Sequence, residues 1–366
     1  MSATLKQAIQ DEARRLGFIL AGVTTPDPPL HLSAFEDWLT QGRHASMDYL
    51  ADDRSRARRA DPRLLLPGCK SILMLAIPYS SPLPPNISEK KKSPKKNTSA
   101  PEIMGKGKGR GRVAAYAWGT DYHRILPERM KALVAFIEKQ VGQPVSNRWY
   151  TDTGPILERD LAQRAGMGWI GKNTCLINPK HGSYILLAEI FLDLELEPDL
   201  PFTSDQCGTC TRCIGACPTE CILPDRTIDA GRCISYLTIE LKEDILPELR
   251  PLAGDWVFGC DICQMVCPWN RFAAPEGDLA FNPREDTPYP QLTRELDLTP
   301  KEFNRKFKDS PIQRAKRRGY LRNVSVALGN EGRLEDIPAL EKALKDAEPM
   351  VREHAAWAIG SISKQN

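Results

Sequence analysis

The sequence predicts an α+β protein in three parts: a mixed-sheet amino-terminal domain over residues 1–200, a compact cysteine-rich domain over 201–275, and a linker followed by an α-helical repeat over 276–366. Three observations predict this. Helix and strand periodicities alternate through the first part, nine of the eleven cysteines lie between Cys207 and Cys267, and helices with small packing residues close the chain. At 366 residues the chain is too long for one small core. Its 41% hydrophobic and 27% charged residues exclude collagen-like, largely disordered and membrane-embedded classes. No window approaches the roughly 20 apolar residues of a spanning helix. Met1 to Gln10 has no uninterrupted apolar core, so no secretory signal is read there and the expected compartment is the cytoplasm.

The elements follow in order. Leu5, Ile9 and Leu16 share a helical face that stops at Gly17, and Ser33-Ala-Phe-Glu36 is a capping-box pattern opening a helix with Phe35, Trp38 and Leu39. Residues 71–77, 113–118 and 184–192 read as strands, and Met130, Leu133, Val134, Ile137 and Val141 as a helix ending at Gly142. Residues 80–112 read as a mobile basic surface insertion, because a Pro- and Lys-rich stretch buries too little apolar area to offset chain entropy. Its glycines at 105, 107, 109 and 111 alternate and do not form a dinucleotide fingerprint. Residues 275–300 are linker-like. Two helical stretches, 311–328 and 337–359, form about two units of a HEAT-like α-solenoid, which needs neighbouring packing to be stable.

Without an export signal, clustered cysteines point to metal or redox chemistry rather than disulfides. Cys207-x2-Cys210-x2-Cys213-x3-Cys217-Pro is the bacterial ferredoxin run, in which three cysteines bind one cubane and the fourth crosses to another. A partner motif, Cys260-x2-Cys263-x3-Cys267-Pro, follows downstream, with Cys233 between them. The spacing assigns Cys207, Cys210, Cys213 and Cys267 to one 4Fe–4S cluster, and Cys217, Cys233, Cys260 and Cys263 to the other, within a two-cluster ferredoxin-like domain. Structural zinc is the alternative, since paired Cys-x2-Cys motifs also make tetrahedral sites. Three thiolates spaced two apart suit three corners of a cube better than one ion. Cys69, Cys175 and Cys221 read by default as small buried hydrophobes.

The net charge of +3 conceals asymmetry. Residues 84–112 hold nine basic residues against Glu89 and Glu102, and residues 301–322 nine against Glu302 and Asp309. Arg314, Lys316, Arg317, Arg318 and Arg322 lie within or before one predicted helix, where several would share a face and bind phosphates without reading sequence.

Several motifs carry a family resemblance. They are Ala117-Trp-Gly-Thr-Asp-Tyr-His123, Thr151-Asp-Thr-Gly154, Glu158-Arg-Asp-Leu-Ala-Gln-Arg-Ala-Gly-Met-Gly-Trp-Ile-Gly-Lys-Asn173, Gly182-Ser-Tyr184, Gly231-Arg-Cys-Ile-Ser-Tyr-Leu237 and Gly259-Cys-Asp-Ile-Cys-Gln264, together with the double cysteine motif. In them the chain resembles the epoxyqueuosine reductase family, iron–sulfur and cobalamin enzymes that complete queuosine synthesis on tRNA, over nearly its whole length. The insertion at 84–112 is longer than the family's pattern.

The resemblance implies two 4Fe–4S clusters feeding a cobalamin held between the amino-terminal and ferredoxin-like domains, and reduction of an epoxide to an alkene with two electrons, two protons and loss of water. It marks Asp152 as proton donor. It places Asp152, Arg59, Lys172, Asn173, Thr174, Cys175, Ser235 and Asp261 around the cobalamin, with Tyr122 and His123 as further pocket residues. The partners it implies are tRNA carrying epoxyqueuosine, presented by its anticodon loop, and an external electron donor. No membrane partner is expected, and the chain is expected to act as a monomer. Read from the residues alone, Asp152 is a helix cap before Pro155, Arg59 a solvated charge, His123 a satisfied structural histidine, and the basic helix a solvated face. Asp121-Tyr-His123 begins the cobalamin motif Asp-x-His-x-x-Gly, but Leu126 replaces the glycine, which argues against an axial histidine. Two other readings stand beside this one: a reductive dehalogenase-like cobalamin enzyme acting on a small molecule, and a zinc-binding helical-repeat scaffold.

Overall fold

The computed structural model of the chain describes residues 2–80, 109–274 and 276–365. A four-stranded antiparallel sheet, in the order Leu20–Thr24, Ser71–Pro78, Ile185–Leu192, Asn147–Tyr150, forms the centre of the amino-terminal part. Strand Ser71–Pro78 is apolar at nearly every position because both its faces are covered. Leu73, Leu75 and Ile77 join one hydrophobic cluster, and Ile72, Met74 and Ala76 join another on the opposite face. The first face packs under helices Ser2–Arg15 and Tyr122–Val141, and the second under the short helix Glu158–Arg164.

Helix Tyr122–Val141 forms where its periodicity predicts. The Asp121 carboxylate caps it by accepting the His123 N–H, Gly142 ends it at φ +74°, and Leu126, Met130, Leu133, Val134 and Ile137 line its buried face. Truncating one of these to alanine would cost about 2–5 kcal/mol. Helix Leu32–Thr40, by contrast, lacks the expected Ser33 cap and starts two residues earlier, with His31 at its N-cap position. The distant Asp160 carboxylate instead accepts the N–H groups of Leu30 (3.1 Å) and His31 (2.8 Å).

Two other expectations are corrected. Of the stretch 113–118 only Val113 is strand, in the two-residue strand Arg112–Val113 that pairs in parallel with Trp256–Phe258. The chain then turns through Ala115–Ala117, because the Asp261 carboxylate takes the Ala115 N–H at 2.7 Å. Residues 276–300 are packed rather than linker-like. Phe281 and Leu292 are buried in the main core, Asp278 forms a two-bond ion pair with Arg129 (2.6 and 2.8 Å), and helix Leu292–Leu296 follows. The capping box Thr299 with Glu302 then opens helix Pro300–Lys306, which the sequence reading missed. Most of the basic insertion, residues 81–108, lies outside the described residues.

At the carboxy-terminal end, helix Lys316–Glu331 packs on helix Pro349–Gln365, with Ile337–Ala343 beside them. The two long helices approach so closely at Gly329 that a Cβ there would lie 2.4 Å from the Trp357 ring. The main hydrophobic cluster runs from Ile9 to Ile362, so the repeat docks on the rest of the chain and gains the neighbour it needs. Among the described residues no helix is long and apolar enough to cross a membrane.

Candidate active site and cysteine centre

Strand Asn147–Tyr150 delivers the chain into the turn Thr151–Gly154. Thr151 is anchored by its hydroxyl to the Leu187 carbonyl (2.8 Å), and the Thr153 N–H returns to the Thr151 carbonyl (2.6 Å). Asp152, between them, is held at φ +61°, a left-handed conformation that costs a non-glycine residue about 1–3 kcal/mol. Gly154 is needed because a Cβ there would lie 2.9 Å from the Tyr150 and Ile156 side chains. The strained turn presents the Asp152 carboxylate outward, where it accepts a hydrogen bond from the Tyr122 hydroxyl at 2.6 Å. Asp152 therefore does not cap the helix after Pro155, which begins at Glu158. Burial and the nearby Asp152 charge push the Tyr122 phenol well above its ordinary range, so it stays protonated and donates.

His123 stacks beside Tyr122 with ring centroids 4.2 Å apart. Its Nδ1 is paired with Asp121 (2.8 Å), leaving Nε2 buried, without a hydrogen-bond partner and 3.9 Å from Asp152. Arg59 is not a solvated charge. It is 6% exposed and lies over the Phe35 ring, and its Nη1 has no hydrogen-bond partner. Asn173, 5% exposed, accepts the Cys175 N–H while its Nδ2 is likewise unpartnered. Thr174 is the second strained residue here, at φ +62°, on the loop between the short strands Trp169–Ile170 and Leu176–Ile177. A buried polar atom without a partner is rare and costly, so three of them within one predicted ligand set fit a polar-rimmed group bound there.

The other pocket residues are more embedded. Lys172 turns its ammonium away to the Gly208 (2.7 Å) and Cys210 (3.0 Å) carbonyls, tying this loop to the first cysteine run. Asp261 is 2% exposed, and burial pushes its carboxyl up to about 7. Cys175 hydrogen-bonds through its thiol with Cys263, and Ser235 stands on helix Ile234–Ile239, directly after Cys233.

The short helices Arg212–Ala216 and Ile262–Met265 pack against one another. This brings the end of each cysteine run toward the start of the other. Burial raises the Cys267 thiol to about 11, with Cys207 and Cys213 among the neighbours that add to the effect, while Cys233 and Cys217 act on the buried Cys260. Cys221, read from sequence as a bland hydrophobe, lies 3.4 Å from the Cys217 sulfur and hydrogen-bonds with Cys233. The indole of Trp169 donates to the Cys207 sulfur at 3.4 Å.

The basic residues do not form one face. Arg322 is fully buried and donates to the carbonyls of Leu237, Leu241 and Glu243, so it cannot meet RNA. Arg317 is committed to Asp346 and the Leu298 carbonyl. Lys316 and Arg318 are exposed. Arg314 pairs with Glu240 (2.5 Å) and lies within electrostatic reach of Asp152 and the half-exposed Tyr49. No local pattern marked Tyr49, which reaches this mouth only through the fold.

Comparison with known proteins bears on the whole arrangement. Residues 59–153 match a family model described as epoxyqueuosine reductase QueG, DUF1730. Residues 206–270 match a 4Fe–4S double cluster binding domain, and 337–365 a HEAT repeat. The chain is 40% identical to an epoxyqueuosine reductase of Pseudomonas aeruginosa, covering 98% of this chain and 94% of that one. The chain belongs to the epoxyqueuosine reductase family. Its relative in Escherichia coli K12 is 37% identical over 99% of this chain and 91% of that one. Among solved epoxyqueuosine reductases, one holding an epoxyqueuosine-modified tRNA-Tyr stem loop superimposes with a TM-score of 0.84 at 30% identity, covering 99% of this chain and 91% of that one. A Bacillus subtilis epoxyqueuosine reductase with its catalytic aspartate loop swung out of the active site matches with a TM-score of 0.81 at 31% identity and the same coverage.

Proposed function

We propose that this chain reduces epoxyqueuosine to queuosine in tRNA, with Asp152 as the proton donor. The observation that carries the reading is the Asp152 turn: a carboxyl on a strained backbone, oriented by Tyr122, at a mouth lined by buried polar atoms that have no partner among the described residues and backed by the cysteine domain. Strain of this kind persists only where surrounding structure over-determines it, which is characteristic of functional sites.

Cys207, Cys210, Cys213 and Cys267 would hold one 4Fe–4S cluster, and Cys217, Cys233, Cys260 and Cys263 the other. Arg59, His123, Asn173, Asp261, Ser235, Tyr122 and the backbone of Lys172, Thr174 and Cys175 would hold the cobalamin. Together these groups supply, when bound, electron chemistry that side chains lack. Asp152 delivers a proton from its carboxyl as the epoxide oxygen leaves, and the Tyr122 hydroxyl fixes the direction of that carboxyl. Outside the mouth, Arg314, Lys316 and Arg318 contact phosphates of the anticodon arm, which places the modified base over Asp152. An external donor provides the electrons, and the chain works as a monomer in the cytoplasm.

The test is anaerobic turnover of tRNA carrying epoxyqueuosine by reconstituted protein with cobalamin and a strong reductant, read by nucleoside mass spectrometry. Loss of one oxygen that requires cobalamin, and that Asp152→Asn abolishes while clusters and cobalamin remain bound, supports the reading. No conversion by protein with intact clusters and bound cobalamin refutes the substrate, and near-normal turnover by Asp152→Asn removes Asp152 from the mechanism.

A further inference from the structure

Beneath the Asp152 turn lies a pair of acids that proton donation by Asp152 does not use. Strand Ile185–Leu192 is apolar except for Glu189. Glu189 stands in register with Met74 on one side and Tyr150 on the other, is fully inaccessible, and among the described residues finds no hydrogen-bond donor at either oxygen. Its face of the sheet is the one covered by helix Glu158–Arg164. Glu158, the first residue of that helix, meets the Glu189 carboxyl with its own, and its Oε1 also accepts the Asp152 N–H at 2.5 Å.

Two carboxylates in contact, Glu189 wholly out of water and Glu158 half-buried, resist joint ionisation, but with one proton between them they make a strong O–H···O⁻ hydrogen bond. We propose that Glu158 and Glu189 share one proton, and that this pair is the positioning element holding the Asp152 turn in its reactive place. Thr151 is tied to the sheet by neutral groups, whereas the N–H of Asp152 itself is held, among the described residues, by Glu158. The shared proton makes that tie compatible with burial: Glu189 donates, and Glu158 keeps its other oxygen for the Asp152 N–H.

The groups facing the pair decide how it responds to pH. From the turn comes Asp152, whose carboxylate when ionised raises both acids; from the helix comes Arg159, which lowers Glu158. The two flanking strands offer Met74 and Tyr150 opposite Glu189. Burial is the largest cause of both upward shifts, followed by Asp152 for Glu158 and by Glu158 for Glu189. Because the acids hold their proton more tightly than free glutamate, the tie is intact at low and neutral pH and is lost as pH rises through the raised value. Full ionisation then sets the carboxylates against each other and releases the turn. An epoxyqueuosine reductase of B. subtilis is seen with its catalytic aspartate loop swung out of the active site.

The catalytic arm of this inference rests on the proposed function, and the exchange arm does not. Amide hydrogen exchange over residues 148–160, corrected for its intrinsic base catalysis, is followed from pH 6 to 9 in the full chain alongside kcat and KM. Wild type is expected to lose protection at the Asp152 amide on the alkaline side, with kcat falling roughly tenfold per pH unit beyond the transition and KM for the tRNA steady. Glu189→Gln, which donates without titrating, removes this alkaline transition from the exchange of the Asp152 amide. Glu158→Leu loses protection at every pH, and Glu158→Gln, which retains an acceptor oxygen, restores it. Identical pH dependence of exchange in wild type and Glu189→Gln, or full protection in Glu158→Leu, overturns the proposal. The expected exchange pattern in protein that turns over no epoxyqueuosine upholds the pair and refutes only the substrate.

Discussion

Arg322→Met tests whether the basic helix serves RNA or the fold. The guanidinium is wholly buried and donates to the Leu237, Leu241 (3.0 Å) and Glu243 (2.5 Å) carbonyls and twice to the Asn323 side-chain oxygen (3.0 and 2.9 Å). Asn323 in turn donates to the Thr238 (2.8 Å) and Val257 (2.9 Å) carbonyls. Leu237 and Thr238 lie on the helix after Cys233, and Val257 on the strand before Cys260, so the pair stitches the helical repeat to two cysteines of one centre. Methionine fills much of the volume but leaves the buried Leu237 carbonyl and the buried Asn323 side-chain oxygen without the guanidinium, each costing about 1–3 kcal/mol, and the part-buried Leu241 and Glu243 carbonyls less, for a sum of about 4 kcal/mol. The thermal midpoint should fall by roughly 5 °C. Arg322→Lys, with one branch of donors, should lose about half as much. Circular dichroism melts in parallel with RNA binding at several salt concentrations make the measurement. An unchanged melt with weaker RNA binding and a salt slope shallower by about one would refute the structural role and return Arg322 to a phosphate.

Three further outcomes are expected. Lys316→Ala and Arg318→Ala should leave melting within about 0.5 kcal/mol of wild type yet each flatten the salt dependence of tRNA binding by roughly one unit; unchanged slopes would place the RNA on another surface. Cys207→Ala should lower iron from about eight to about four atoms per chain after anaerobic reconstitution, and full iron retention would overturn its assignment as a ligand. At Gly168, φ is +152° and a Cβ would lie 2.1 Å from the Ile177 carbonyl oxygen. Gly168→Ala should therefore push apart the two short strands that flank the Lys172–Cys175 loop and destabilise by about 2 kcal/mol, and a wild-type urea midpoint would show that the backbone yields there at no cost.

The legible parts of this protein are those whose signals are local. The cysteine spacing is readable because a cubane requires ligands at short fixed intervals, and helix Tyr122–Val141 because its apolar face repeats over several turns and ends on Gly142. Strand Ser71–Pro78 announces a position buried on both faces by its unbroken apolar run. Where sequence reading failed, a partner far along the chain decided the outcome. Asp160 supplied the start of the helix at Leu32, Asp261 turned the chain at Ala115, and the main core absorbed Phe281 and Leu292 from an apparent linker.

Asp152 could be singled out only by resemblance, since Thr-Asp-Thr-Gly-Pro reads equally as a helix cap. Its strained φ, its bond from Tyr122 and the glutamates beneath it exist only once strands far apart in sequence are aligned. One local clue to the acid pair was present, a lone glutamate in the apolar run Ile-Leu-Leu-Ala-Glu-Ile-Phe-Leu, but periodicity cannot say what stands across a sheet. Arg59 and Arg322 make the same point with charge. Sequence by itself determined the elements and the cysteine centre, because backbone periodicity and ligand spacing are short-range. Tertiary structure decided which charges are buried, which face the mouth and which brace the fold, because burial and electrostatic partnership depend on whatever the rest of the chain brings alongside.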